Sequence, residues 1–475
     1  MANPQATQQW ESVTLPPRLP LVIIQSNRDG TINKDARLVN CYLEATQEGE
    51  ANIFKRPGIT QTSVVSANEV GNGVFFWNGD VYSVFGSVFY RNGTAVSGVD
   101  NTGGVYRFIS ILGATPKLVF GNGKKAYAYD TVGGLSSDLH TIDADYPTTT
   151  VKGLAYLNGP VYVMQPEAVI WGSAINSVSV AGDWDPLNYL RAQIEPDGGL
   201  FLAKQLVYVV ALKKWTVEYF FDAGQPTGSP LQSVQGMKVN YGCASADSVR
   251  AINDVLFFLS TDQNASLQVS QLDRGAHSVV STPAVDRLLC DINTSVVFSW
   301  TFKINGHSFY VLTFKQSNLT LVYDVNQQLW YQWTTSSGNY LPFVDCTYDA
   351  SGEHVLQHET NGALYTISST DYKDDSNPIV VDIITPSFDA QTFRRKHLNM
   401  LKFVGDRVPG SVLQVRKTDD DYQTWSNFRR VDLNLKVPKL INCGTFVRRA
   451  YHLRHTANTP FRIRALDAQY DVGTL

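Results

Sequence analysis

A turn pair rich in Asn, Asp or Gly, followed by an alternating apolar strand, recurs along residues 68–372 and constrains the fold more than any other feature. Copies begin at Asn78-Gly79, Asn122-Gly123, Asn158-Gly159, Asn253-Asp254, Asn305-Gly306 and Ser351-Gly352. Residues 212–220, between the third and fourth copies, read as a strand with the same alternation. Asn-Gly is the strongest short hairpin signal, because a type I′ turn needs positive φ at both central residues. Several copies carry a second apolar run further on, at 88–91, 169–172, 319–324 and 364–367. With the strand at 212 counted as a copy, successive copies start 36 to 54 residues apart, the repeat length of a four-stranded propeller blade. One small blade cannot bury both of its faces, whereas a ring of blades can, and it leaves only short protected edges. Unrelated hairpins in sandwiches would use the same turns. The expected fold is all-β: a β-propeller of six or seven blades over residues 68–377, a C-terminal β-sandwich over 378–475 and an extended N-terminal arm over 1–67.

The arm is expected from its prolines, Pro16, Pro17 and Pro20, and from its one early apolar run, residues 21–24. The sandwich is expected from alternating runs at 379–384, 397–404, 411–416 and 461–466, which follow a polar, Pro-ended linker at 371–378. One helix stands out at 282–290, with Thr282 as N-cap and Pro283 in the first turn, and any other helices should be few.

Composition narrows the function classes. The chain has 475 residues, 17% of them charged and 12% aromatic. The longest apolar runs, such as 207–212, are far too short to span a membrane, so no membrane anchor is expected. A net charge of −4 argues against a strongly basic nucleic-acid binder. The charge is uneven: residues 378–475 carry 16 Lys and Arg against nine Asp and Glu, a net +7, which leaves −11 for the rest. Such asymmetry suggests two regions facing different partners. Five widely spaced cysteines without a CxxC pair argue against a disulfide framework and a zinc cluster. The first residues, MANPQATQQW, have neither the basic stretch nor the apolar core of a secretory signal, so synthesis in a reducing cytoplasm is expected.

Few constellations suggest chemistry. His354 and His358, with Glu353 and Glu359, faintly resemble a metalloprotease helix, but Val355 stands where the catalytic Glu would be and the segment alternates like a strand. Asp183 and Asp185 could form a carboxylate pair for glycoside hydrolysis, although Asp185-Pro186 has turn chemistry. TDDDYQTW at 418–425 resembles a sialidase Asp-box with Tyr422 in the glycine position; it reads as a turn with Trp425 as core. Basic groups at Arg394-Arg395-Lys396, Arg429-Arg430 and Arg448-Arg449, with Arg462 and Arg464 on one strand face, could meet phosphates or an acidic protein surface. No nucleophile elbow, P-loop or dinucleotide fingerprint is present, and the expectation is no catalytic residues, no cofactor and no metal.

Several stretches are similar to the packaged-DNA stabilisation proteins, the tail hub or nozzle proteins of short-tailed phages. They are RLVNCYLE at 37–44, FKRPGI at 54–59, EPDG at 195–198 leading to WTVEYF at 215–220, YGC at 241–243, the strand VLFFLS at 255–260 and the helix at 282–290. The likeness is strongest in the centre and weakest in the last hundred residues. It implies a structural virion protein, made in the bacterial cytoplasm and placed in the tail. It implies a homohexameric ring joined to the portal through an adaptor (head-to-tail connector) protein, carrying a tail spike or fibre, with genomic DNA passing through its channel without sequence-specific binding. The alternatives are a propeller glycosidase acting on surface polysaccharide and a WD-type scaffold, the latter without the Gly-His and Trp-Asp pairs that mark such blades.

Overall fold

A computed structural model describes residues 18, 19, 21, 36–45, 51–225, 227–264 and 266–473. The larger part of the expected arm, including most of the apolar run 21–24, lies outside the described residues. The described chain divides into two compact units, one holding 56–380 and the other holding 42–55 and 381–475.

The first unit is a propeller of seven antiparallel meanders among the described residues. Their strands occupy 71–98, 107–135, 155–191, 199–233, 242–279, 297–332 and 343–368, in chain order. Six blades are built from one continuous run of chain. The seventh takes its fourth strand from upstream: Gly58–Val64 pairs with Ala363–Ser368, Gly58 opposite Ser368 and Val64 opposite Ala363. This join fastens the beginning of the ring to its end. The described residues of 37–64, expected as part of an extended arm, are therefore largely strand, because their apolar residues have sheet edges to complete. Arg37–Val39 likewise lies parallel to the outer strand of the sixth blade, with Val39 opposite Gln332.

The turn residues do what their types demand. Asn78, Asn158 and Asn305 have φ of 51°, 55° and 51°, each followed by a positive-φ glycine, and Asn253-Asp254 has φ of 49° and 65°. All four join the first two strands of a blade. Asn122 differs. Its Oδ1 accepts from the backbone N–H groups of Lys124 and Lys125 at 3.0 and 2.9 Å, and its turn joins the second and third strands of its blade. Residues 212–220 are not one strand. They are the end of Tyr208–Lys213 and the start of Val217–Asp222, with a turn between them.

Closure follows from the faces. Tyr82 and Phe89 of the first blade share a cluster with Tyr106 and Phe120 of the second. Equivalent clusters fill the next four gaps. Trp300 meets Phe343 edge-on between the sixth and seventh blades, and Val355 and Leu364 of the seventh pack on Val74 and Phe85 of the first. Each fully buried aromatic or aliphatic side chain contributes about 1.5–3 kcal/mol. The expected helix is present as Pro283–Cys290, with Thr282 Oγ1 accepting from Val285 N–H. It buries Val285 and Leu289 against the fifth and sixth blades.

The second unit is a β-sandwich of two antiparallel sheets. In one, Arg462–Val472 is flanked by Lys396–Gly405 and Ala51–Lys55, with Lys439–Ile441 at an edge. The other runs Val381–Ile384, Ala450–His455, Val412–Thr418, Arg429–Asp432. Inward residues such as Leu398, Leu401, Leu413, Leu453 and Leu466 are buried.

Candidate functional site: the propeller axis

The innermost strands of six blades, with Gly153 and Leu154 leading into the third, border an axial cavity of about 700 Å³. Charged side chains from three blades and one interblade segment meet beside it, Arg107, Arg250 and Asp345 within its lining. The fifth blade's inner strand is interrupted by the short turn Ala246–Ser248, which presents Asp247 to the axis. Lys152 Nζ lies 2.9 and 2.7 Å from the two Asp247 oxygens. Arg107 Nη2, from the second blade, lies 3.3 Å from Asp247 Oδ1, and its Nη1 lies 3.9 Å from Asp345 Oδ2 of the seventh. Arg250 of the fifth blade places Nη2 2.9 Å from Asp345 Oδ1, and its Nε donates to the Ser299 carbonyl of the sixth at 2.7 Å. These contacts cross the axis and tie the blades together.

Two further polar clusters lie off the axis and use the motif residues noted above. Asn40 Oδ1 accepts from Arg56 Nε at 3.0 Å and from Thr334 N–H at 2.7 Å. Asn40 Nδ2 donates to Thr334 Oγ1 and to the Val380 carbonyl. Arg56, fully buried, also grips Asp374 with both terminal nitrogens. The two N-terminal motifs thus meet at one buried lock. In the fourth blade, Lys213 Nζ lies 2.7 Å from Asp197 Oδ1 and 2.6 Å from Glu218 Oε1, all three side chains buried. Asp197 accepts from the backbone N–H groups of Trp215 and Thr216, which sets the turn dividing residues 212–220. Gly242 leaves no room for a Cβ, which would stand 2.3 Å from the Lys214 carbonyl carbon. These motif residues hold backbone together.

The other candidates disperse. His354 and His358 lie on strand His354–His358, where a separation of four residues spans about 13 Å. His354 Nε2 meets the Lys303 carbonyl at 2.7 Å, and His358 Nδ1 accepts from Thr360 and Asn361 N–H. Among the described residues no three His, Cys, Asp or Glu groups stand together as a metal site. Asp183 accepts from Ser177 Oγ and Val180 N–H, and Asp185 caps Leu187 N–H, so both close turns. Asp420 caps a turn through Thr424 N–H and Thr418 Oγ1, and these hydrogen bonds, led by those from Thr424, bring its pKa down to about 2. Tyr422 takes the glycine's place at φ 69° and is the buried ring; Trp425, expected as core, is half-buried beside it because Arg416 covers its face.

The basic groups of the sandwich unit split between inside and outside. Lys396 is buried with Nζ donating to the Val447 carbonyl at 2.7 Å, and Arg449 is buried in a two-pronged pair with Asp419 at 2.6 and 2.9 Å. Arg394, Arg395, Arg429, Arg430, Arg448, Arg462 and Arg464 are exposed, although Arg448 meets Asp421 at 3.0 Å and Arg462 pairs with Asp406.

Residues 26–372 match the profile of a family described as "Bacteriophage P22 Gp10, beta-propeller". The chain belongs to this family. Its members are phage structural proteins that stabilise packaged DNA. No curated protein sequence matches. Among solved structures the chain is similar to the N-terminal domain of Nup159, with TM-score 0.39 and 10% identity, over 70% of this chain and 99% of that one. It is also similar to YCF48 bound to a D1 peptide, with TM-score 0.42 and 12% identity, over 69% and 98%. The motifs through which the family was visible in the sequence, at 37–44, 54–59, 195–198 and 215–220, are those that build the two off-axis polar clusters.

Proposed function

We propose that this chain is a subunit of the tail hub or nozzle of a short-tailed phage, a homohexameric ring that retains packaged DNA and opens onto the genome's exit path. Membership of the packaged-DNA stabilisation family carries the reading. In this reading the exit channel is formed between copies rather than through one propeller, since the axis of each propeller is crossed by the Arg107, Asp247 and Asp345 contacts. A surface with a net −11 over residues 1–377 repels DNA phosphates and lets the genome slide. The basic C-terminal region offers complementary charge to an acidic neighbour, and such head-to-tail contacts close into rings. The remaining partners of the ring are a portal adaptor and a spike or fibre, and its place is the virion tail.

The glycosidase reading finds little support: the two axial carboxylates, Asp247 and Asp345, are both engaged by cations rather than turned towards a sugar. Electron microscopy of purified virions, or of the chain co-expressed with its portal adaptor, tests the proposal. A six-fold ring around a DNA-wide channel is the expected result. Virions that lack the chain, or polysaccharide hydrolysis abolished by Asp345→Asn, would overturn it.

A further inference from the structure

The lining of the axial cavity holds more positive charge than its carboxylate neutralises. Arg107 and Arg250 share Asp345 there, while Lys152 and Asp247, outside the lining, pair with each other and leave the surplus unchanged. An uncompensated charge inside a fold is costly. The Arg107 side chain is 8% exposed, and its Nε and Nη1 have no hydrogen-bond partner among the described residues. Burial, and then repulsion from Arg250, bring its pKa down to about 10. Arg250, at 16% exposed, remains within reach from the cavity.

The walls and mouth are equally specific. Phe75, Phe108, Phe201 and Phe302 line the cavity, and exposed Lys204 and Lys303 stand among its lining residues. Asp345 is the one carboxylate in that lining, and both guanidinium groups already share it. The volume lies within the roughly 300–1,000 Å³ of small-ligand sites. Cationic floor, aromatic wall and basic mouth together select a ligand that is anionic at one end and apolar along its body.

We propose that the propeller axis binds an organic oxyanion with an apolar body, a carboxylate or a phosphate monoester, whose charged end meets Arg250 at the edge of the Arg107 cluster and whose hydrocarbon lies among the phenylalanines. This goes beyond the ring assignment and does not depend on it. The anion offsets the surplus charge that the fold carries without it.

Isothermal titration of the full-length chain with 4-phenylbutyrate, phenyl phosphate and neutral 4-phenylbutanamide tests the site. At least one anion is expected to bind once per chain with Kd of about 1 mM or tighter, and the amide at least about tenfold more weakly, the difference one charge-assisted hydrogen bond makes. The tighter of the two anions identifies the headgroup class. Arg250→Met is expected to weaken anion binding about tenfold or more, and Lys303→Ala about two- to fivefold through the mouth's potential. The lysine variant, on an exposed side chain, serves should the arginine variant fail to fold. Equal affinity for the amide, wild-type affinity in the variants, or no binding of either anion at about 10 mM, some tenfold above the expected Kd, overturns the proposal.

Discussion

Two buried charge clusters in the propeller, one in the fourth blade and one on the axis, solve the same physical problem differently. In the blade, Lys213 stands between Asp197 and Glu218, a net negative cluster. Most of its oxygens are met by donors, Trp215 N–H, Thr216 N–H and the Thr216 hydroxyl on Asp197 and Ile194 N–H on Glu218 Oε1, and Glu218 Oε2 alone has no partner among the described residues. On the axis the surplus is positive, and two nitrogens of Arg107 find no acceptor among the described residues. The first cluster is a lock, since its members are needed to neutralise one another. The second borders a cavity and has room for something else. Excess charge inside a protein is structural where the backbone compensates it, and points outward to a ligand where the backbone does not.

The largest effect should come from breaking the lock. Lys213→Met leaves two carboxylates buried without their cation, a change that costs about 3–5 kcal/mol. Urea unfolding of the variant should show the midpoint falling sharply; a midpoint within error of wild type would mean the cluster is not the lock described. The same cluster gives an acid limb. Burial alone would raise the Asp197 pKa, but the hydrogen bonds from Lys213, Trp215 N–H and Thr216 outweigh it and hold the pKa below the usual carboxylate range. A carboxyl lowered in the fold contributes stability above its unfolded value of about 3.9, and that contribution is lost as pH falls through the lower folded value. Thermal melts should therefore weaken below about pH 4 in wild type, and Asp197→Asn should remove part of that slope.

A smaller loss is expected at the other off-axis cluster. Asn40→Ala removes the acceptor shared by Arg56 Nε and Thr334 N–H, but Arg56 keeps Asp374 and the Thr334 carbonyl, so the loss should be about 1–3 kcal/mol, that of one stranded buried donor. Differential scanning calorimetry should place this variant between wild type and Lys213→Met. A loss as large as that of Lys213→Met would show that the lock extends across both sites.

The fold was legible because turn chemistry is local. Asn78, Asn158 and Asn305 announce their hairpins by residue type alone, since few other residues tolerate positive φ. The fourth blade's first hairpin stayed hidden because Leu206 takes φ 53° there, a conformation no reading of Leu would suggest. The fastening strand Gly58–Val64 was equally hidden, because its partner lies some three hundred residues downstream. The fourth-blade lock did leave a trace: Lys213 ends an otherwise apolar run and Glu218 interrupts the next. The axial cluster left none. Arg107, Lys152, Asp345 and the neighbours Asp247 and Arg250 come from four separate stretches of chain, and only closure of the ring brings them together.

The smallest effect on stability should come from the axis itself, and this sharpens the comparison most. Lys152 is 18% exposed on its side chain and is one of three cations serving two carboxylates. Lys152→Met leaves Asp247 still paired with Arg107 and relieves the positive surplus, so the partly screened pair it removes is worth about 0–1 kcal/mol. Its urea midpoint should stay close to wild type, while Lys213→Met, which also deletes one lysine facing two oxygens, falls far. If the two variants lose equal stability, charge surplus does not distinguish a lock from an open site, and the axial cluster must be counted as part of the propeller's scaffold.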